Sequence, residues 1–285
     1  KIDAYQGGAS SVAESMRNVA AVGATPWCLT DCLNYGSPED PKVFRQFKDG
    51  VQGVADAARG IGMIGEENVP IPIVSGNVSF YNEATGGKAV PPSPIVACFG
   101  VMEDYANALT MGFKSEGNTI LLLGRRMREL GGSAYWRLLR RDHGAVPQVS
   151  FRNVRAEIST LLKANDEGWV AAAHDISEGG ILVAAAEMAL ASGEGCRLEI
   201  EEAQRGLRAD EFLFSETGGF LVEVPEEHVA SVKTLAAKHD VSVVSLGEVT
   251  RDAVLDVSTA GRSLLRMDIQ ELKPQWEDAL EEVMA

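Results

Sequence analysis

A chain of 285 residues, 45% hydrophobic and 24% charged, is long enough for two lobes of roughly 100 to 150 residues and has the balance of a soluble globular protein. Its formal charge of −15 argues against nucleic-acid or anionic-membrane partners. No run reaches the roughly 18 apolar residues of a membrane span and no leader pattern is present, so a cytoplasmic location is expected.

The opening residues 1–10 contain Gly7-Gly8 and read as a loop or frayed end; with no initiator methionine at Lys1, a fragment of a longer protein is expected. From Ser11, apolar residues Val12, Met16, Val19 and Val22 recur at three- and four-residue steps and Gly23 stops them, so a helix is predicted over 11–22. Residues 25–33 form a strand with Asp31 inside it, broken by turn formers over 34–41. A carboxylate in an apolar strand is costly without a partner, so Asp31 either caps the following turn or faces a polar site. Val43, Phe44, Phe47, Val51, Val54 and Ala58 then mark a second long helix over 42–59.

A strand ending at Ser79 follows, then a Gly- and Pro-rich loop over 82–94 that carries Lys88, a strand over 94–101 and a short helix over 103–110. A composition shift at 114–118 places the lobe boundary, giving lobes of 1–113 and 114–285. The second lobe begins with a strand over 119–123 and the run Gly124-Arg125-Arg126-Met127-Arg128, which forms either an anion cradle with Gly131-Gly132-Ser133 or a solvated loop; it lacks the P-loop Lys-Ser or Lys-Thr. Residues 153–162 read as a helix and 169–175 as a strand, with a helix reaching about Ala191. A strand over 196–200 and an acidic loop lead to two apolar runs punctuated by Ser215-Glu216-Thr217. A helix to Lys238, a strand over 241–246, a hairpin over 253–267 and an acidic amphipathic helix from about Asp268 complete an α+β pattern, with helices on one face of each sheet.

Two stretches carry chemistry. Gly76-Asn77-Val78-Ser79-Phe80-Tyr81-Asn82-Glu83 follows a β-branched run, as where a buried strand surfaces at a ligand pocket; an ordinary strand and turn is the alternative. His174-Asp175-Ile176-Ser177-Glu178-Gly179-Gly180 runs from a strand to a helix start, a way of presenting side chains and free backbone N–H groups to an anion. Cys28, Cys32, Cys98 and Cys196 have no zinc-like Cys/His spacing and read as reduced thiols.

Three pieces together, Thr30-Asp31-Cys32-Leu33-Asn34-Tyr35-Gly36 with Pro38-Glu39, the stretch 76–83, and the stretch 174–180 with Phe214-Ser215-Glu216, closely resemble the C-terminal half of the phosphoribosylformylglycinamidine synthase family. The resemblance covers essentially the whole chain. It implies a two-lobed, aminoimidazole-ribonucleotide synthetase-like α+β unit whose first lobe pairs sheet to sheet with a homologous lobe. It also implies an ATP- and Mg²⁺-dependent ligase of purine biosynthesis, which converts formylglycinamide ribonucleotide and glutamine-derived ammonia to the amidine.

Carried over by position, Asp31 and Gly76 match ATP contacts, Asn77 an Mg²⁺ ligand and Ser79 a substrate contact. Asp175 is a secondary metal candidate, and Ser215-Glu216-Thr217 stands where the other half has a substrate-contacting triplet. The family's catalytic histidines and nucleotide-contacting lysine belong to the N-terminal half and match nothing here, so no catalytic residue is assigned and this chain alone is expected to be inactive. The implied partners are the N-terminal half, a glutaminase subunit and a small accessory subunit, with a homodimer through the first lobe as an option. Alternative functions are a structural or regulatory half holding an auxiliary nucleotide without turnover, and a free-standing ATP-dependent synthetase of the same superfamily.

Overall fold

The computed structural model describes residues 2–201 and 206–279. Helix α1 spans Ala4–Ala21, beginning earlier than its apolar periodicity suggests because the Asp3 side chain accepts from Gln6 N and caps it. Gly7 and Gly8 lie inside this helix, not in a loop. Helix α2 (Pro41–Ile61) crosses so closely that a Cβ at Gly8 would overlap the Gly50 carbonyl oxygen and lie 3.1 Å from its carbon. The absent side chains thus permit a helix pair with direct backbone approach.

Strands β1 (Thr25–Asn34), β2 (Ile73–Ser79) and β5 (Ser93–Val101) form a three-stranded sheet in the order β2-β1-β5, with β1 parallel to β2 and antiparallel to β5. Within the predicted loop 82–94, β3 (Glu83–Ala84) pairs with β4 (Lys88–Ala89). Only a 3₁₀ turn, Tyr105–Asn107, forms where a helix was expected over 103–110.

The second sheet has seven strands, ordered β12-β11-β8-β10-β6-β9-β7. Its members are β6 (Thr119–Leu123), β7 (Ala172–Asp175), β8 (Gly195–Glu199), β9 (Phe220–Val224), β10 (Val243–Thr250), β11 (Val254–Thr259) and β12 (Arg262–Asp268). The helices are α3 (Ala134–Leu138), α4 (Phe151–Asp166), α5 (Gly180–Ser192), α6 (Ala209–Phe214), α7 (Glu226–Lys238) and α8 (Ile269–Glu277). The first of the two apolar runs around Ser215 is therefore helical, and parts of the predicted acidic loop and final helix lie outside the described residues.

Helices on one face of each sheet were expected, but this sheet is covered on both. Alternation along β6 shows why: Leu121 and Leu123 enter a core with α1, α2, α4 and α7, while Ile120 and Leu122 enter a second core with α5, α6 and α8. The first core also takes Leu29 from β1, so it runs unbroken from the small sheet's helices onto the large sheet. By contrast, the outer face of the small sheet stays open: Ile95 and Phe99 are 59% and 58% exposed, and Val101 is exposed beside them.

Candidate functional site

The four first-lobe candidates gather on the adjacent strands β1 and β2. Their register pairs Asp31 with Gly76, Cys32 with Asn77 and Asn34 with Ser79. Paired residues share a face, and alternation divides the set. Asp31 and Gly76 lie on the side of buried Leu29 and Leu33, whereas Asn77 and Ser79 lie on the open outer side. The structure thus places the four on neighbouring strands, two on each face of the sheet.

The Asp31 carboxylate makes no hydrogen bond or ion pair among the described residues. Burial pushes its pKa above the ordinary carboxylate value. It lies against Gly76, where a Cβ would overlap its Oδ1 and stand 2.9 Å from its Cγ. Neither a turn cap nor an ion pair occupies the group; it is an uncommitted carboxylate in a notch that glycine leaves open. Asn77 Nδ2 rests 3.6 Å from Cys32 Sγ, leaving its Oδ1 available, and the Ser79 hydroxyl is 3.2 Å from Asn82 Oδ1.

No group of three or more His, Cys, Asp or Glu that could hold a metal occurs among the described residues. Asn77 fits an Mg²⁺ ion as a single neutral oxygen donor, the role expected where ligand phosphates and water complete an octahedral shell.

Asp175 sits elsewhere, at the end of β7, and its oxygens are engaged. With its amide turned to donate, Asn18 reaches them at 2.9 and 3.0 Å, and His174 Nδ1 lies 3.3 Å from Oδ1. His174 Nε2 is 3.1 Å from Glu187. Burial opposes charge on this imidazole, but the Asp175 and Glu187 partners outweigh it and raise the pKa to about 10, so the ring is cationic at neutral pH.

Beside this cluster, a cleft of about 640 Å³ opens between α1 and the second lobe, lined in part by Gly7, Glu14, Arg17, Gly131, Ser177 and Glu216. None of Asp31, Gly76, Asn77 or Ser79 lines it. Arg17 is only 8% exposed, rests its guanidinium near Gly218 and has an unpartnered Nε. Glu216 accepts from Ala134 N at 2.7 Å and Gly179 N at 2.9 Å, while Thr217 donates to Glu129 at 3.0 Å, so this triplet organises the wall of the cleft. Of the Gly124 run, Arg126 is buried and near Ser215 O while Arg125 and Arg128 are exposed, a division that neither the cradle nor the solvated-loop reading anticipates.

The buried charges Arg17 and Glu157 escaped sequence reasoning. A signal existed for Arg17: it falls four residues after Ala13 and four before Ala21, in the buried stripe of α1.

Residues 1–102 match the N-terminal domain of AIR synthase related protein, and residues 115–259 its C-terminal domain. Phosphoribosylformylglycinamidine synthase subunit PurL of Methanothrix thermoacetophila is 46% identical over the whole chain, which spans 37% of that protein. The Streptomyces avermitilis subunit PurL is 40% identical over 257 residues, 89% of the chain and 32% of its own length. Among solved structures, Thermotoga maritima PurL complexed with FGAR aligns with a TM-score of 0.75 at 19% identity, covering 95% of this chain and 43% of that one. The same protein complexed with ATP gives 0.71 at 20% identity, covering 94% and 41%. At those identities the structural likeness is one of fold, and it is the two-lobed fold that the motifs imply. The chain belongs to the AIR synthase related protein family, carrying the family's N-terminal domain followed by its C-terminal domain.

Proposed function

We propose that the chain is the C-terminal half of a phosphoribosylformylglycinamidine synthase, an ATP-dependent carbon–nitrogen ligase of purine biosynthesis. Its first lobe (1–113) supplies one wall of an active site, and a homologous N-terminal half supplies the rest. The carrying observation is the strand pair β1 and β2, where Asp31, without a partner among the described residues, lies against Gly76 on one face and Asn77 and Ser79 lie on the other. The open outer face with Ile95 and Phe99 supports sheet-to-sheet pairing with that half, or with a second copy of this chain.

In the proposed reaction the substrate's glycinamide carbonyl oxygen takes the γ-phosphoryl of ATP, releasing ADP, and ammonia then displaces phosphate from that carbon to form the amidine. An amide oxygen is a poor leaving group and phosphate a good one, which is why ATP is consumed. Asp31 and the Gly76 backbone contact ATP, Asn77 holds Mg²⁺ and Ser79 contacts the substrate. Bound Mg²⁺ supplies charge neutralisation on the phosphates.

One of the solved structures similar in fold is that of PurLQS from Thermotoga maritima, which supports glutaminase and small accessory subunits as partners here. Among the described residues no helix is long and apolar enough to cross a membrane. A cytoplasmic location suits an enzyme whose substrates are charged, water-soluble nucleotides. The test is Asn77→Ala in the full-length enzyme. The expected result is a loss of turnover that raised Mg²⁺ partly restores; unchanged Mg²⁺ dependence removes Asn77 from the site.

The cleft supports a second role for the chain, the holding of an auxiliary nucleotide without turnover. Buried Arg17 is its anion-facing group, and a cation bound by Asp175 must displace Asn18 or His174. Calorimetry with ADP and Mg²⁺ on Asp175→Ala tests it: binding lost with turnover retained supports the role, and binding retained excludes Asp175.

A further inference from the structure

Ser79 does not sit on this strand pair as a free rotor. It ends β2, and its carbonyl accepts from Tyr35 N at 3.0 Å and from Asn82 Nδ2 at 2.9 Å. Asn82 Nδ2 also donates to Tyr35 O at 3.1 Å. Both amide hydrogens of Asn82 are therefore given to carbonyl oxygens, which fixes the amide's orientation. Its Oδ1 then lies 3.2 Å from Ser79 Oγ, and an amide oxygen can only accept.

The backbone is bent to maintain this arrangement. Tyr81 adopts φ 58°, a left-handed conformation rare for a side chain of its size. Its N–H donates to Gly36 O at 3.1 Å, while Asn82 N donates to Tyr35 O at 3.1 Å. The turn returns Asn82 beneath Ser79 and ties the 76–83 stretch to the 30–36 stretch.

We infer that Asn82 is a positioning residue: it consumes the Ser79 hydroxyl proton, so Ser79 presents only lone pairs and recognises a hydrogen-bond donor of the substrate. This deepens the proposed function and rests on its placing Ser79 at the substrate. It restricts what Ser79 can touch. A ribose hydroxyl or an amide N–H satisfies it, whereas a dianionic phosphate, which offers only acceptor oxygens, is repelled.

The test is a double-mutant cycle in the full-length enzyme assembled with its ammonia source, reading KM for formylglycinamide ribonucleotide, KM for ATP and kcat. Ser79→Ala raises the substrate KM about five-fold, the worth of one neutral hydrogen bond. Asn82→Ala raises it by a similar factor alone, but adds nothing in the Ser79→Ala background, and KM for ATP stays put in every variant. Asn82→Asp keeps an acceptor oxygen but sets its second oxygen against the Tyr35 and Ser79 carbonyls, so it recovers only part of the Asn82→Ala loss.

If Ser79→Ala leaves the substrate KM unchanged, the placement of Ser79 at the substrate fails. If Ser79→Ala raises KM while the Asn82 effect is absent, or adds fully to it, that placement stands and the positioning inference is overturned. The Asp variant covers the case in which Asn82→Ala does not fold: a substrate KM raised about five-fold there means that the turn, not the accepted proton, was the requirement.

Discussion

Gly76→Ala perturbs the candidate site at its narrowest contact. The added Cβ would overlap Asp31 Oδ1 and lie 2.9 Å from Cγ, so the carboxylate must swing aside. Gly76 is not among the positive-φ glycines, and alanine fits its backbone. Turning Asp31 off its rotamer costs about 0.5–1.5 kcal/mol. Restricting the unfolded chain by replacing glycine recovers roughly 0.4–1 kcal/mol. Net stability therefore stays within about 1 kcal/mol of wild type, a Tm shift of about 2–4 °C at most. The proposed Asp31 contact to ATP would be lost in the same step, and hydrogen bonds to charged groups are worth about 1.5–3 kcal/mol, so KM for ATP should rise about ten-fold or more. Initial rates of the full-length enzyme across ATP concentrations, with a parallel melting curve, read both quantities. A folded Gly76→Ala enzyme with a wild-type KM for ATP would refute the assignment of Asp31 and Gly76 to the nucleotide.

Glu157 is held up to about pKa 7 by burial, which Arg17 and Arg126 only partly offset. The folded state thus binds more protons than the unfolded state between pH 4.5 and 7, and stability falls as pH rises through that window, by about 3 kcal/mol from this group. Glu157→Gln should flatten the slope of urea midpoints between pH 5 and pH 8; an unaltered slope places the titration elsewhere. In the helix pair, Gly53→Ala drives a Cβ to 2.9 Å from the Tyr5 carbonyl carbon and into its oxygen, and backbone cannot yield cheaply. It should destabilise by about 1–3 kcal/mol or more. Gly7→Ala, with nothing within 4 Å, should instead stabilise by about 0.5–1 kcal/mol in the same urea titration. Phe99→Asp on the open sheet face should weaken association with the homologous half in sedimentation velocity while leaving the chain's own melting temperature within about 2 °C. Undiminished association would move the pairing surface off this sheet.

Much of the fold was readable where one residue type has one meaning. The apolar run of β6 spans residues 119–123 as expected, and α2 extends the predicted helix by only a residue or two at each end. The start of α1 was not readable, because Gly7-Gly8 signals a loop locally, whereas Gly8 is set by the backbone of Gly50 in a distant helix and Gly7 faces open space. The second cover on the large sheet was hidden for a similar reason: alternation assigns residues to two faces but cannot say what packs on each. At the site, Asp31, Gly76, Asn77 and Ser79 could be picked out by type, yet their division between two faces depends on strand register. Asp175 was recognisable as a carboxylate at a strand end, but its engagement by Asn18 and His174 required α1 and β7 to be seen side by side. Asn82 was visible only as one polar residue of the 76–83 stretch, and its three side-chain hydrogen bonds set it apart.

In the proposed function this chain completes an active site whose catalytic groups lie in another half. The direct measurement is phosphate release with formylglycinamide ribonucleotide, ATP, Mg²⁺ and ammonia, first from this chain alone and then with the separately purified N-terminal half titrated in. No turnover is expected from the chain alone, and activity should saturate at one equivalent of the added half. Turnover by the isolated chain would contradict the proposal, as would a correctly folded pair that associates and remains inactive.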